Sequence, residues 1–426
     1  MVACARPPEG NAALDIALIA ACALIIALVL SMVSKVNVGL IGLAAAWIIG
    51  VYVAGDKAEA VMQGFPVSLF LTLSGATFLF AIGETNGTFA GLATRAMRLA
   101  RGNRLAIPVL FFVIAFCVSA IGPGAIAGVA LIIPLAARIG EESDLPPMLT
   151  ALMVANGANA GNLSPISAVG IIANSRMAAA GLGGHEALVM LANLVASLLV
   201  AALAYAWFAR RLVQPREPVS SAIAAAPLSV RQLLTCAVFA IWIGVVIFLK
   251  ANIGLSAFAA GAVLIVLKAG DERAAIARMP WEVILMIGGV ATLVALVETH
   301  GGTALFSAWI ASIASPGTLT GVIAFVTGVI STYSSTSGVV LPMFLPMVPS
   351  LVTAVGGGDP LAVALSINVG SSLVDVSPLS TIGALCVAAL AGQGERRGLF
   401  NQLLIWGFAM SLVGAAFAQW IVPLLV

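Results

Sequence analysis

Apolar runs of about 20 residues, the length at which a helix crosses about 30 Å of hydrocarbon, recur from end to end of the chain. The first is "LDIALIAACALIIALVLSMV" (14–33) and the last is "FNQLLIWGFAMSLVGAAFAQWIVPLL" (400–425). One soluble core cannot bury so many. With 62% of its 426 residues hydrophobic and 8% charged, the whole chain reads as a membrane domain. Inside a bilayer every backbone N–H and C=O needs a partner within its own segment, so the runs are read as helices and the fold class as an all-α polytopic membrane protein. The five cysteines are scattered, with no metal-ligand spacing or disulfide framework, and are taken as packing residues.

The chain also repeats itself. "KVNVGL" (35–40) returns as "KANIGL" (250–255), and "FPVSLFLTLSGATFLFAIGETNG" (65–87) as "MPWEVILMIGGVATLVALVETHG" (279–301). "PMLTALMVANGANAGNLSPISAVG" (147–170) returns as "PLAVALSINVGSSLVDVSPLSTIG" (360–383), again without a gap. Three matched blocks in one order indicate a duplication. Because 14–33 precedes the first block as 233–249 precedes the second, the first run is expected to be a retained helix of the repeat rather than a cleaved signal peptide.

Each unit is expected to hold five transmembrane helices, one of them broken, plus a re-entrant hairpin. After an N-terminal tail (1–13), repeat 1 (14–212) places scaffold helices in 14–84, an interfacial helix at 88–103, the hairpin at 104–140, the broken helix at 146–180 and a last helix at 186–212. A cytoplasmic linker (213–230) leads to repeat 2 (231–426), with scaffold helices in 231–299, an interfacial helix at 302–315, the hairpin at 318–352, the broken helix at 359–391 and a last helix at 399–424. The hairpins turn at "SAIGPGAIAG" and "STYSSTSG", small and polar stretches suited to irregular backbone buried in protein at mid-depth. A plain pair of spanning helices is the alternative. An odd number of crossings per unit inverts the second unit. Charge agrees: with both termini outside, only Arg6, Lys57, Arg176 and Lys250 of the 19 basic residues fall on the exterior.

The broken helices carry the polar residues. "ANGANAGNLSP" and "NVGSSLVDVSP" fall at mid-membrane, where freed backbone groups and short polar side chains cannot face lipid, so they are expected to line a cavity. Half-helix N-termini there would attract an anion and unwound carbonyls a cation. Candidate substrate contacts are Asn159, Asn162, Ser164 and Ser377 with Pro378, the two serines also being placed to cap the second half-helices. Asp375 is the one carboxylate at this depth, matched in the first repeat by Asn162. It must be protonated or paired with a cation, since a lone buried carboxylate is costly. Its oxygen-rich surroundings are Ser335, Thr336 and Ser337 at the hairpin tip and Asn368, Ser371 and Ser372 on the broken helix, with Asn156 and Gly157 from the first repeat. A sodium ion on Asp375, Asn368 and Ser372, or a proton on Asp375, would serve as coupling ion. Gly157 has close helix packing as its other reading. Glu84 and Glu298 close the third helix of each repeat next to Thr and Gly, which points to a solvated or capping role, while His185 and His300 fall in outer loops.

The paired "GNLSP" and "VDVSP" breaks, each after a small-polar tip with a proline ten residues on (Gly124 to Pro134, Thr336 to Pro346), resemble the ion transporter superfamily. Within it the chain is similar to the MatC-type dicarboxylate (malonate) carriers and more distantly to the divalent anion/sodium symporters. The resemblance implies an elevator-type carrier that is a homodimer with a fixed scaffold and a moving transport domain. It also carries substrate contacts onto the tips, at Gly124 and Ala125 and at Thr336 and Ser337. The symporters have Ser-Asn-Thr there, whereas this chain has Gly124, Ala125, Ile126 and Thr336, Ser337, Gly338.

The function expected is secondary active transport of small organic anions, dicarboxylates first, in a bacterial inner membrane, with no cofactor beyond the coupling Na+ or H+ and no nucleic-acid partner. Another substrate (citrate, sulfate, a neutral solute), a proton antiporter using Asp375, or a channel are the alternatives. An intramembrane hydrolase is disfavoured because no mid-membrane His or second carboxylate accompanies Asp375.

Overall fold

A computed structural model describes residues 16–426 except 17, 21, 25, 28, 31–33, 35, 101–102, 123, 213–226, 334 and 391–395. The expected tail (1–13) and most of the linker (213–230) lie outside the described residues, as do Lys35, Arg101 and Arg216. Among the described residues every regular element is helical. Those between 16 and 34 are helical as well.

The first half runs through α1 (Val38–Trp47), α2 (Val67–Thr85), α3 (Ala106–Ile121), α4 (Gly124–Glu142), α5 (Pro147–Asn162), α6 (Ala168–Ala179) and α7 (Glu186–Leu212). The second runs through α8 (Val230–Leu249), α9 (Ile253–Val266), α10 (Trp281–Thr299), α11 (Leu319–Tyr333), α12 (Leu341–Phe344), α13 (Val348–Val355), α14 (Pro360–Leu373), α15 (Thr381–Leu390) and α16 (Arg396–Trp420). Among the described residues six helices are long and apolar enough to cross a membrane, or seven if a bent pair counts as one span. Large apolar side chains cover the outside: Phe248 is 84% exposed and Trp207 82%. Such a surface suits lipid and not water, and the protein is a multi-pass membrane protein.

Corresponding elements use the same local devices. Asn37 caps α1 by accepting from Gly39 N, and Asn252 caps α9 by accepting from Leu255 N. Pro66 and Pro280 directly precede α2 and α10, and two residues beyond the end of each a glycine (Gly87, φ 75; Gly301, φ 86) enters the left-handed region. Two short helices, Ala58–Gln63 and Glu272–Arg278, occupy matching places ahead of α2 and α10. The first interfacial helix is shorter than 88–103, with the α-helix ending at Met97. Its buried residues Thr88, Phe89, Ala93 and Met97 form one stripe at helical spacing.

Packing divides the chain into two groups. α1 lies on α10 and α9 on α2, so the early helices of the two halves interlock. Glycine allows the backbones to touch: a Cβ on Gly42 would stand 2.9 Å from Gly289 O, and one on Gly254 2.8 Å from Leu71 O. In the other group α3 and α7 flank α5, and α11 and α16 flank α14. Here Gly157 sits against Phe112 and Gly370 against Ala324, where a Cβ would come within 2.7 Å of either Cα. Gly157, expected as a cation contact, is thus held by packing.

The hairpin arms differ. In the first hairpin α4 continues unbroken through Pro134. In the second, the return arm starts as a π-helical turn (Thr336–Val340), passes into α12 and bends by 49° before α13. Pro342, Pro346 and Pro349 follow in close succession there, each lacking a backbone N–H, which accounts for the bend the sequence reading did not place.

Three of the four residues expected at the periphery have surroundings that their place in the sequence does not show. Glu84 is not merely solvated: its Oε1 accepts from Arg278 Nη2 at 2.6 Å and Nε at 2.8 Å, joining α2 to the short helix before α10. Glu298 keeps one buried carboxylate oxygen without a hydrogen-bond partner. His300 Nε2 lies 2.9 Å from Asp56 Oδ2.

Candidate substrate and cation site

Each broken helix ends its first half at a polar residue that meets a hairpin tip. α5 closes at Asn162, whose Oδ1 accepts from Ala125 N at 2.8 Å. Beside it Ala168 N donates to Gly122 O at 2.9 Å, tying the tip to the start of α6. Gly124 turns the chain at φ 77, and a Cβ there would stand 3.3 Å from Asn162 Oδ1. The break therefore reaches the tip through the main chain, which a Gly-Ala tip supplies as well as any other sequence.

The second break reaches its tip through hydroxyls. After α14 a single 3-10 turn (Val374–Val376) carries Asp375. Thr336 Oγ1 donates to Asp375 Oδ1 at 2.7 Å, and Ser331 Oγ lies 3.4 Å from the same oxygen. Ser331 and Thr336 are 2.5 Å apart, and Thr336 Oγ1 is 3.1 Å from Ser371 O, so the carboxylate is fixed by a small hydroxyl network. Both hydroxyl contacts fall on Oδ1, which leaves Oδ2 for a ligand. In the first break the bond to Ala125 occupies Asn162 Oδ1, which leaves its amide nitrogen as a donor.

Residues of both halves line one cavity of about 50 Å³: Ile126, Asn162 and Val169 from the first, and Ser335, Thr336, Ser337, Asp375, Ser380, Thr381 and Ile382 from the second. At about 10–15 Å³ for each water, it admits a dehydrated ion with a few waters. Val169 lies in the first turn of α6, and Thr381 and Ile382 in the first turn of α15. Two helix N-termini thus meet one carboxylate. None of these lining residues is Arg or Lys.

The expected site residues separate into two sets. Asn162, Ser335, Thr336, Ser337 and Asp375 line the cavity, and Gly124 and Ala125 border it through Asn162. Asn156, Gly157, Asn159, Ser164, Asn368, Ser371, Ser372, Ser377 and Pro378 are buried but do not line it. Ser371 shows why: its hydroxyl donates back to Ile367 O at 2.7 Å along its own helix.

The caps differ as well. Ser167, not Ser164, caps α6 by accepting from Gly170 N, and its hydroxyl donates to Asn162 O. Ser380, not Ser377, takes the matching place before α15, where its hydroxyl donates to Asp375 O and accepts from Gly383 N at 3.5 Å. A one-turn loop separates each proline from its half-helix and moves the cap three residues on. The match of Ser167 with Ser380 in the repeat was the signal available for this. Ser331 had no such signal, since it reaches Asp375 from the end of α11.

Residues 14–162 match the family described as dicarboxylate carrier protein MatC N-terminus. Over that part the chain is similar to MatC, in agreement with the resemblance read from the paired breaks, and the match points to a transporter rather than an enzyme. No curated protein matches the chain.

Proposed function

We propose that this chain is a secondary active carrier of small dicarboxylates, malonate or C4-dicarboxylates, driven by a sodium or proton gradient. The observation that carries the reading is the cavity itself, in which the first turns of α6 and α15 meet Asp375. Helix N-termini, the Asn162 amide and the hydroxyls of Ser337 and Thr381 are donors for carboxylate oxygens. Asp375 Oδ2 with the hydroxyls of Ser335 and Thr336 is an oxygen set for a hard cation. The match to MatC supports dicarboxylates over other anions.

A cation on Asp375 cancels the charge that would otherwise repel the substrate, so the two ligands tighten each other by the same factor. A proton on the carboxylate has the same effect. The hairpins, broken helices and last helices move as one body against the interlocked early helices, an elevator in a homodimer in which each chain is built of two inverted repeats. The carrier sits in a bacterial inner membrane, and the basic residues favour both termini outside.

Uptake by the purified protein in liposomes, run over dicarboxylates with imposed sodium and, separately, proton gradients, tests the reading. Saturable, gradient-dependent accumulation of a dicarboxylate is the expected result. Flux that neither saturates nor exchanges would replace the carrier with a channel.

A further inference from the structure

Asn156, Asn159, Asn193 and Asn368 are each 0% exposed, and their amide atoms are sorted in one direction. Every nitrogen has an acceptor: Asn156 Nδ2 donates to Leu152 O at 2.8 Å, Asn159 Nδ2 to Ser372 O at 2.9 Å, Asn193 Nδ2 to Asn159 O at 2.5 Å and Asn368 Nδ2 to Met177 Sδ at 3.4 Å. Every oxygen lacks a partner, and the buried hydroxyls of Ser197 and Ser372 lack one too. Among the described residues these four are the buried amide oxygens left unpaired.

The six side chains are carried on three helices that pack on one another. The bond from Asn159 to Ser372 joins α5 to α14, and the bond from Asn193 to Asn159 joins α7 to α5. Asn156 precedes Asn159 by three residues, Asn368 precedes Ser372 by four, and Ser197 follows Asn193 by four, so each shares a helix face with its neighbour. Buried acceptors left without a partner are costly, and a set of them carried on three packed helices calls for an occupant. Water brings donors and acceptors in equal number and suits a mixed set. Here the amide groups offer oxygen alone, which suits a cation. Neutral oxygens and the lack of any carboxylate among the six suit a monovalent hard ion rather than a divalent one.

We propose that α5, α7 and α14 enclose a charge-neutral sodium site made by the side-chain oxygens of Asn156, Asn159, Asn193, Ser197, Asn368 and Ser372, separate from the cavity at Asp375. None of the six lines that cavity. The site holds its ion inside the hairpin and broken-helix group, and it stands whether or not the transported anion is a dicarboxylate.

The test is sodium binding by the purified full-length protein in detergent. It is read as the rise in Tm on replacing choline chloride by sodium chloride at constant ionic strength, and as retention of radiolabelled sodium. Asp375→Asn, which removes the charge of the other cavity, should keep sodium binding. In that background Ser197→Ala should weaken it about tenfold, near 1.4 kcal/mol. Asn193→Asp, which places a carboxylate in the ligand set, should tighten it by a similar factor. Sodium-independent Tm in the Asp375→Asn protein, or sodium affinity unchanged by both Ser197→Ala and Asn193→Asp, would overturn the proposal and leave the pocket to water.

Discussion

The two broken helices occupy equivalent places in a duplicated chain and are finished differently. At the first break a neutral amide accepts from the backbone of the hairpin tip, Ala125 N to Asn162 Oδ1. At the second a carboxylate accepts from side chains, Thr336 and Ser331 to Asp375 Oδ1. A backbone donor tolerates almost any tip sequence provided the turn can form, whereas a hydroxyl donor must be encoded. This explains how the first tip can be Gly-Ala-Ile and still hold its helix break. It also assigns the work: the first break contributes geometry and a neutral donor, and the second contributes the charge.

The sharpest way to break that contrast is to remove the charge. Asp375→Asn keeps the shape and the hydroxyl contacts but should abolish gradient-driven accumulation, while exchange of internal for external substrate continues, because exchange does not require the ion site to empty. Concentrative uptake at the wild-type level would show Asp375 to be structural.

Adding a charge to the first break is the next largest perturbation. Asn162→Asp can still accept from Ala125 N, yet it turns the cavity-facing donor into a second anionic acceptor. The apparent affinity for dicarboxylate should fall at least about tenfold, near 1.4 kcal/mol, with little loss of folded protein. Affinity at the wild-type value would mean that the first break is a spectator.

The smallest effect concerns the tip alone. Gly124 at φ 77 is in a conformation that costs a side-chain-bearing residue roughly 1–2 kcal/mol. Its Cβ would also press on Asn162 Oδ1 at 3.3 Å. Gly124→Ala should lower Tm by a few degrees in a fluorescence melt and weaken substrate binding modestly. An unchanged Tm would show that the turn relaxes and that the main-chain contact is not strained.

Much of the fold was legible because it rests on short-range physics. Capping asparagines 37 and 252, the prolines 66 and 280 and the glycines 87 and 301 act within one turn of where they stand, so the matched blocks marked matched helix ends. The bend between α12 and α13 was readable in principle from three close prolines, but their joint effect depends on which N–H groups the neighbours would have used. The candidate site was legible in outline and misassigned in detail. Ser164 and Ser377 follow from their place before proline, and the loop after each proline hands the cap to Ser167 and Ser380. Asn159, Asn368 and Ser372 are as polar as Asn162, and they point into a different set of contacts.

By itself the sequence determined that the chain lies in a bilayer as helices, that it is duplicated, that two of its helices break at small, polar stretches and that one break bears a carboxylate. Each of these follows from hydropathy, backbone pairing and residue type along a single segment. Only the tertiary structure decided which polar groups face the cavity, that the tips engage the breaks through main chain in one half and hydroxyls in the other, and that Asn193 of α7 donates to Asn159 of α5. The reason is physical: Gly and Pro at a break erase the helical phase that relates position to direction, and within a packed bundle a short polar side chain is aimed by whichever donor or acceptor a distant segment brings within 3 Å or so.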